Sequence, residues 1–149
     1  MYKRILTIKD FESIIWHDCK IYGFAFDDSK YKLYFDIDFI NEWIKPQEKE
    51  KRYKLKITPA TLVFSNVWDV NFDIDTNLSL DIDSVVKKNP HISRNKPQKM
   101  EYEWEMELLQ GKITFKSIEF KIYFRDKPQI LNFGDRTLIK RGGVSFSTK

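Results

Sequence analysis

Apolar side chains recur at every second position along most of this chain. In "KIYGFAFDDSKYKLYFDIDFI" the residues Tyr22, Phe24 and Phe26 share one face, and Tyr31, Leu33, Phe35, Ile37 and Phe39 repeat the pattern after "DDSK". Two alternating runs around an Asp-Asp-Ser-Lys turn predict a β-hairpin. That pairing sets Phe24 near Leu33 and Tyr22 near Phe35, so large apolar pairs stack on the core side. "YKLKI" resumes the alternation, "TPAT" reads as a corner built on Pro59, and "TLVFSNVWDVNFDID" carries a bend or bulge at Ser65–Asn66.

The cleanest alternation is "MEYEWEMEL". It points Met100, Tyr102, Trp104, Met106 and Leu108 inward and four glutamates outward. "QG" then closes a hairpin with "KITFKSIEFKIYF", whose phase slips at Ser117–Ile118, the mark of a bulge. Across this hairpin Glu105 is expected to meet Lys116, and Glu101 to meet Lys121. Residues 78–99 are the least regular stretch, with two prolines and a cluster of cations, and read mainly as a long loop. "NEWIKPQEKEKR" reads as an exposed loop, "KPQIL" as the exit from a strand, "GDRTLIKRGG" as a turn and "VSFS" as a last short strand. Only "IKDFESIIW", and a stretch near 80–88, compete as short helices.

Strands joined by hairpins, with no long segment of 3.6 period, predict an all-β fold. It is mainly an antiparallel β-sandwich or partly open barrel, with at most one or two short helices. The 149 residues fit one domain, 1–149, able to bury roughly 70% of its unfolded surface in a single core. Aromatic residues at 15% suit strands, where rings pack on the pleat. One cysteine, Cys19, excludes an intrachain disulfide and reads as a structural thiol. Charge appears at Lys9 and Asp10 before any apolar h-region develops, and no stretch nears the roughly 20 apolar residues of a membrane span. The expectation is a cytoplasmic protein without membrane contact.

Several chemistries lack their motifs. No GxGxxG, GxxxxGK[ST] or GxSxG occurs, so nucleotide-cradling loops and a nucleophile elbow have no support. Two histidines and one cysteine cannot build a four-ligand Cys/His zinc site. No cofactor is expected. What remains are candidate binding residues. His17 and Asp18 in "WHDC" suit a general base, a metal ligand or a hydrogen-bonded corner. Asp36 and Asp38 project from one strand face roughly 7 Å apart. That spacing fits oxygen ligands of a divalent cation, an acid/base pair, or simply the wet face of a strand. "FDID" at 72–75 and "LDID" at 80–83 repeat the motif and favour the wet face. Trp43 and Trp68 stand at strand ends, where tryptophan serves either core packing or binding hot spots. Lys87, Lys88, His91, Arg94, Lys96 and Lys99 gather beside aromatic strands, as in binders of single-stranded nucleic acid. The net charge of +4 is a weak sign of an acidic partner.

Taken together, "IIWHDCKIYGFAF", "LYFDIDFINEWI", "ITPATLVFSNVWDVNFDI", "GKITFKSIEFKIYFR" and "RGGVSFS" resemble a family of small uncharacterised bacterial proteins. The His-Asp entry and the hairpin after it, residues 16–26, also resemble small β-rich immunity proteins of bacterial toxin systems. The first resemblance implies a bacterial, cytoplasmic domain with no catalytic residues to carry over; the second implies a protein that binds and neutralises a partner. The sequence therefore points to a non-catalytic module that binds a protein. Its alternatives are a divalent-metal hydrolase using His17, Asp18, Asp36 and Asp38, and a nucleic-acid binder using the basic residues at 87–99.

Overall fold

The computed structural model describes residues 5–49, 52–132, 136 and 141–149. It is all-β, with ten strands in one open antiparallel sheet. β1 spans Ile5–Thr7, β2 Lys20–Asp27, β3 Lys32–Ile44, β4 Lys54–Ser65 and β5 Trp68–Ile74. β6 spans Leu80–Ile92, β7 Met100–Leu108, β8 Gly111–Ser117, β9 Glu119–Phe124 and β10 Gln129–Asn132. The order is β1-β9-β4-β3-β2-β6-β7-β8-β5, with β10 added alongside β4. The expected helix over "IKDFESIIW" shortens to a 3₁₀ turn, Ile8–Ser13, which Thr7 and Asp10 start with a reciprocal capping box.

One corner creates both layers. β4 pairs with β9, and their continuations β5 and β8 pair with each other. The ribbon bends where the sequence slips phase: Asn66 takes a left-handed φ of 55°, and Ser117–Ile118 break the partner strand. The Ser65 carbonyl holds the bend, accepting hydrogen bonds from Ser117 Oγ at 2.6 Å and Ile118 N at 3.3 Å. The slip at Ser117–Ile118 is thus a change of layer rather than a bulge, because β8 belongs to one layer and β9 to the other. Strands that turn corners between layers in this way are typical of orthogonally packed sheets. A second junction is short: β2 meets β6 only at Lys20–Asp81 and Ile21–Leu80.

Between the layers sits an aromatic centre. Phe64 of β4 lies 5.1 Å from Trp104, 4.6 Å from Phe115 and 5.7 Å from Phe120, ring centre to ring centre. All four are essentially buried, and the Trp104 indole donates to the Ser117 carbonyl at 3.1 Å. Offset and edge-on ring pairs of this kind contribute about 0.5–1.5 kcal/mol each beyond their buried area.

Several local readings change. Residues 78–99 are not mainly loop, since β6 occupies Leu80–Ile92. Its period is hidden by register shifts at Ile82–Ser84 and Lys88–His91, so that Ile82 and Val85 are the buried pair. Pro59 is no corner but lies inside β4, opposite Asp38. On its other side β4 passes from β10, which ends its pairing at Ile57, to β9, which begins at Ala60. A residue with no N–H fits where the ladder changes partner. "KPQIL" feeds β10 rather than leaving the sheet, and "VSFS" is packed but forms no strand. Most of "GDRTLIKRGG" lies outside the described residues. The hairpin registers also shift by two: Phe24 faces Phe35 and Phe26 faces Leu33, while Lys116 faces Glu103. Lys121 lies across the corner from Glu101, opposite Val63 and Thr7.

Gly111, expected as the turn glycine, is required twice over. Its φ is +144°, and a Cβ there would sit 2.0 Å from the Asp73 carbonyl oxygen. Gly111→Ala is expected to lower unfolding free energy by more than about 1 kcal/mol, measured by urea titration; an unchanged midpoint would contradict this close approach.

Candidate functional site

Asp36 and Asp38 do come together, but not as a wet face. Both are buried, at 0% and 1% exposure. Asp36 Oδ1 accepts from Arg125 Nη2 at 2.5 Å and from Arg141 Nη2 at 2.9 Å. Its Oδ2 accepts from Arg141 Nη1 at 2.7 Å and from Ser145 N at 2.9 Å. Asp38 accepts from Tyr22 Oη at 2.8 Å and from Arg141 Nε at 3.2 Å. The Arg141 guanidinium also lies over the Tyr22 ring, 4.1 Å from its centre. Burial pushes the Tyr22 hydroxyl above its ordinary range, and the Asp38 carboxylate adds to the shift.

This lattice fastens residues 141–149 across the outer face of β2, β3 and β4. Arg125 donates to the Ser145 carbonyl, and Thr61 Oγ1 donates to the Ser147 carbonyl at 2.7 Å. Val144 and Phe146 lie over Gly23, where an added Cβ would come within 3.0 Å of Val144. Strand alternation marks Asp36 and Asp38 as turned away from the apolar core, which is correct. It carries no sign that a segment about a hundred residues later covers that face. The other copies of the motif do behave as solvated strand ends: Asp73 and Asp75 are exposed, and Asp83 meets His17 at the surface.

His17 and Asp18 form a corner. Asp18 adopts a left-handed φ of 70°, and its N–H donates to the Ile82 carbonyl at 2.8 Å. The imidazole of His17 lies 3.1 Å from Asp83 Oδ1 and 3.3 Å from Asp18 Oδ2, largely exposed. No three of His17, Asp18, Asp36 and Asp38, nor any others among the described His, Cys, Asp and Glu residues, gather as ligands of one ion. A link runs through Arg136, which donates to the Asp18 carbonyl at 2.6 Å. Arg136 also lines a cavity of about 230 Å³ with Tyr22, Asp38 and Arg141. Next to this corner, Cys19 is wholly buried, and burial raises its thiol to about 12.

The two tryptophans separate. Trp43 is half-buried and packs edge-on against Tyr53. Trp68 packs on Tyr31 at 4.7 Å, at the corner where β5 begins. The basic residues at 87–99 do not form one stripe. Lys87 lies over the Phe11 and Tyr102 rings, and Lys88 pairs with Glu105 at 2.7 Å. The 93–95 turn is tied back to the bend by paired amides of Asn66 and Asn95. His91 Nδ1 lies 2.7 Å from the Asn89 carbonyl and Nε2 lies 2.6 Å from Glu101 Oε2. Two acceptors flank the ring, so both nitrogens carry protons. The Asn89 carbonyl and then the Glu101 hydrogen bond raise the imidazole above its ordinary 6.5. Glu101 itself, expected to face water, is 4% exposed.

A cluster of aromatic rings stands outside the core. Phe24 and Phe26 face the interior side of the first layer, opposite the buried Phe35 and Leu33, yet they are 43% and 58% exposed. The second layer stops short of them. Its last strand, β5, pairs only with β8, and β2 beyond Ile21 pairs only with β3 among the described residues. Phe72 of β5 bridges this seam, stacking on Phe24 at 4.7 Å and meeting Phe26 edge-on at 5.9 Å. The hydrophobic alternation finds these rings but counts them as core.

No family model, curated protein or solved structure matches the chain. No helix among the described residues is long and apolar enough to cross a membrane.

Arg141→Met is expected to cost about 3 kcal/mol or more, because it strands buried carboxylates; urea unfolding measures this, and a loss below 1 kcal/mol would show the lattice to be dispensable. His91 is expected to titrate above 6.5 by NMR. Because its folded value is raised, its contribution to stability is complete below about pH 6.5 and fades as pH rises through the folded midpoint. In Glu101→Gln the midpoint falls toward that of free histidine.

Proposed function

We propose that this chain is a non-catalytic binding module, and that a protein partner docks by laying an extended segment along the β2–β5 seam. The observation that carries this reading is the exposure of Phe24 and Phe26 between two strand edges that lack neighbours among the described residues. Exposed edges recruit extended peptides through main-chain hydrogen bonds, while flanking pockets select side chains. Here Phe24, Phe26 and Phe72 offer aromatic anchors of the kind that dominate interface energetics. Residues 22–28 and 70–76 carry four aspartates and no lysine or arginine, so the matching segment is apolar and basic.

Other observations support recognition over hydrolysis. Two of the carboxylates of the metal-hydrolase reading, Asp36 and Asp38, are occupied by arginines, a hydroxyl and a backbone N–H. The resemblance to β-rich immunity proteins covers residues 16–26, which include both exposed phenylalanines, and the family resemblance supports a bacterial, cytoplasmic setting.

The test is a double variant, Phe24→Ser with Phe26→Ser. These side chains are half in water, so the fold is expected to survive, with a loss of no more than about 2 kcal/mol. Wild-type protein is used to select from a random peptide library and to capture a stoichiometric partner from its native host. Selected peptides are expected to alternate apolar and basic residues, and the double variant to bind them and the captured partner at least tenfold more weakly. Equal binding by the folded double variant would overturn the assignment.

A further inference from the structure

A second site lies at the corner, away from the seam phenylalanines, and it goes beyond the protein-binding reading. Trp68, Asp69, Arg94, Asn95, Glu101 and Lys116 line a cavity of about 220 Å³. Most of the charge there is already balanced. Lys116 pairs with Asp69 at 3.1 Å, Glu101 Oε2 meets His91 at 2.6 Å, and the Asn95 amide is spent on Asn66. Three features are left over. Glu101 Oε1 is buried and has no hydrogen-bond partner among the described residues. The Arg94 side chain is exposed and makes no ion pair among the described residues. Trp68 presents an indole to the cavity, while Tyr31, which does not line it, packs on the same ring from elsewhere.

Each feature specifies part of a ligand. A buried acceptor without a donor is costly and rare in folded proteins. Because His91 already balances the Glu101 charge, a neutral N–H satisfies Oε1 better than an ammonium does. Arg94 is the one cation on the cavity wall without a counter-charge among the described residues, so it favours an anion, and its fork geometry suits phosphate. Trp68 is the single apolar wall, and a flat ring buries most against it. We infer that this cavity binds a nucleotide: the base stacks on Trp68 with an N–H edge on Glu101 Oε1, and the phosphate sits on Arg94. The shared chemistry belongs equally to a free mononucleotide and to the 5′ end of a single strand.

Calorimetry on the whole chain tests this, with GMP, AMP, CMP, UMP, a 5′-phosphorylated trinucleotide and inorganic phosphate as probes. At least one mononucleotide or the trinucleotide is expected to bind at 1:1, and the tighter of the two names the source. Trp68→Leu removes the stacking platform for one base and is expected to weaken binding about fivefold or more. Arg94→Ala, at an exposed position, keeps the fold and is expected to weaken nucleotide binding about tenfold or more. Absence of binding at millimolar concentration for every probe would overturn the inference. So would inorganic phosphate binding as tightly as any nucleotide, or Arg94→Ala and Trp68→Leu proteins that bind unchanged. The Phe24/Phe26 double variant retains this site, so failure here and failure of the protein-binding reading are told apart.

Discussion

A single carbonyl oxygen, that of Ser65, organises the molecule. It takes hydrogen bonds from Ser117 Oγ and Ile118 N, which pin two neighbouring strands at the same bend. That pin holds the β4–β5 and β9–β8 ribbon in its bend, which brings Phe115 against Phe64. The two layers, the aromatic centre between them and the cavity beside Trp68 follow from the bend. The open seam follows too, because the second layer has four strands and reaches only part of the way across β2. A left-handed residue at the bend, Asn66, anchors the 93–95 turn through its amide, so the corner is tied on both sides.

The all-β class and the main hairpins were legible because half-buried strands leave a period of two in the sequence. The same signal misplaced Phe24 and Phe26. Alternation reports which face a side chain shares, and not whether another layer extends far enough to cover it. It missed β6 because two register shifts break the period, leaving Ile82 and Val85 three apart. It placed the break at Ser117–Ile118 correctly, yet a bulge and a change of layer leave the same one-residue slip. Pro59 misled for a different reason: a missing N–H marks any unpaired point of a ladder, and a change of partner strand is one such point.

The candidate residues show the larger limit. Asp36 and Asp38 were placed together by spacing alone, but their environment is made by Arg125 and Arg141, which spacing cannot associate with them. Glu101 was assigned to water by alternation, yet it is buried, with His91 of β6 opposite it and Arg94 and Asn95 on the same cavity wall. Charge partners at long sequence separation leave no periodic trace. The copies of "DID" are alike in sequence and unlike in surroundings, so repetition of a motif said nothing about which copy is buried.

The strap over Asp36 also orders events in time. Arg141 is made 105 residues after Asp36. At roughly 5–20 residues per second of synthesis, the two carboxylates wait about 5–20 s for Arg141, while Arg125 reaches Asp36 somewhat earlier. During that interval water takes the place of the arginines, because a bare carboxylate is costly to bury. The pair that holds the strap is therefore an uncovered polar face of the sheet until residues 141–149 are made.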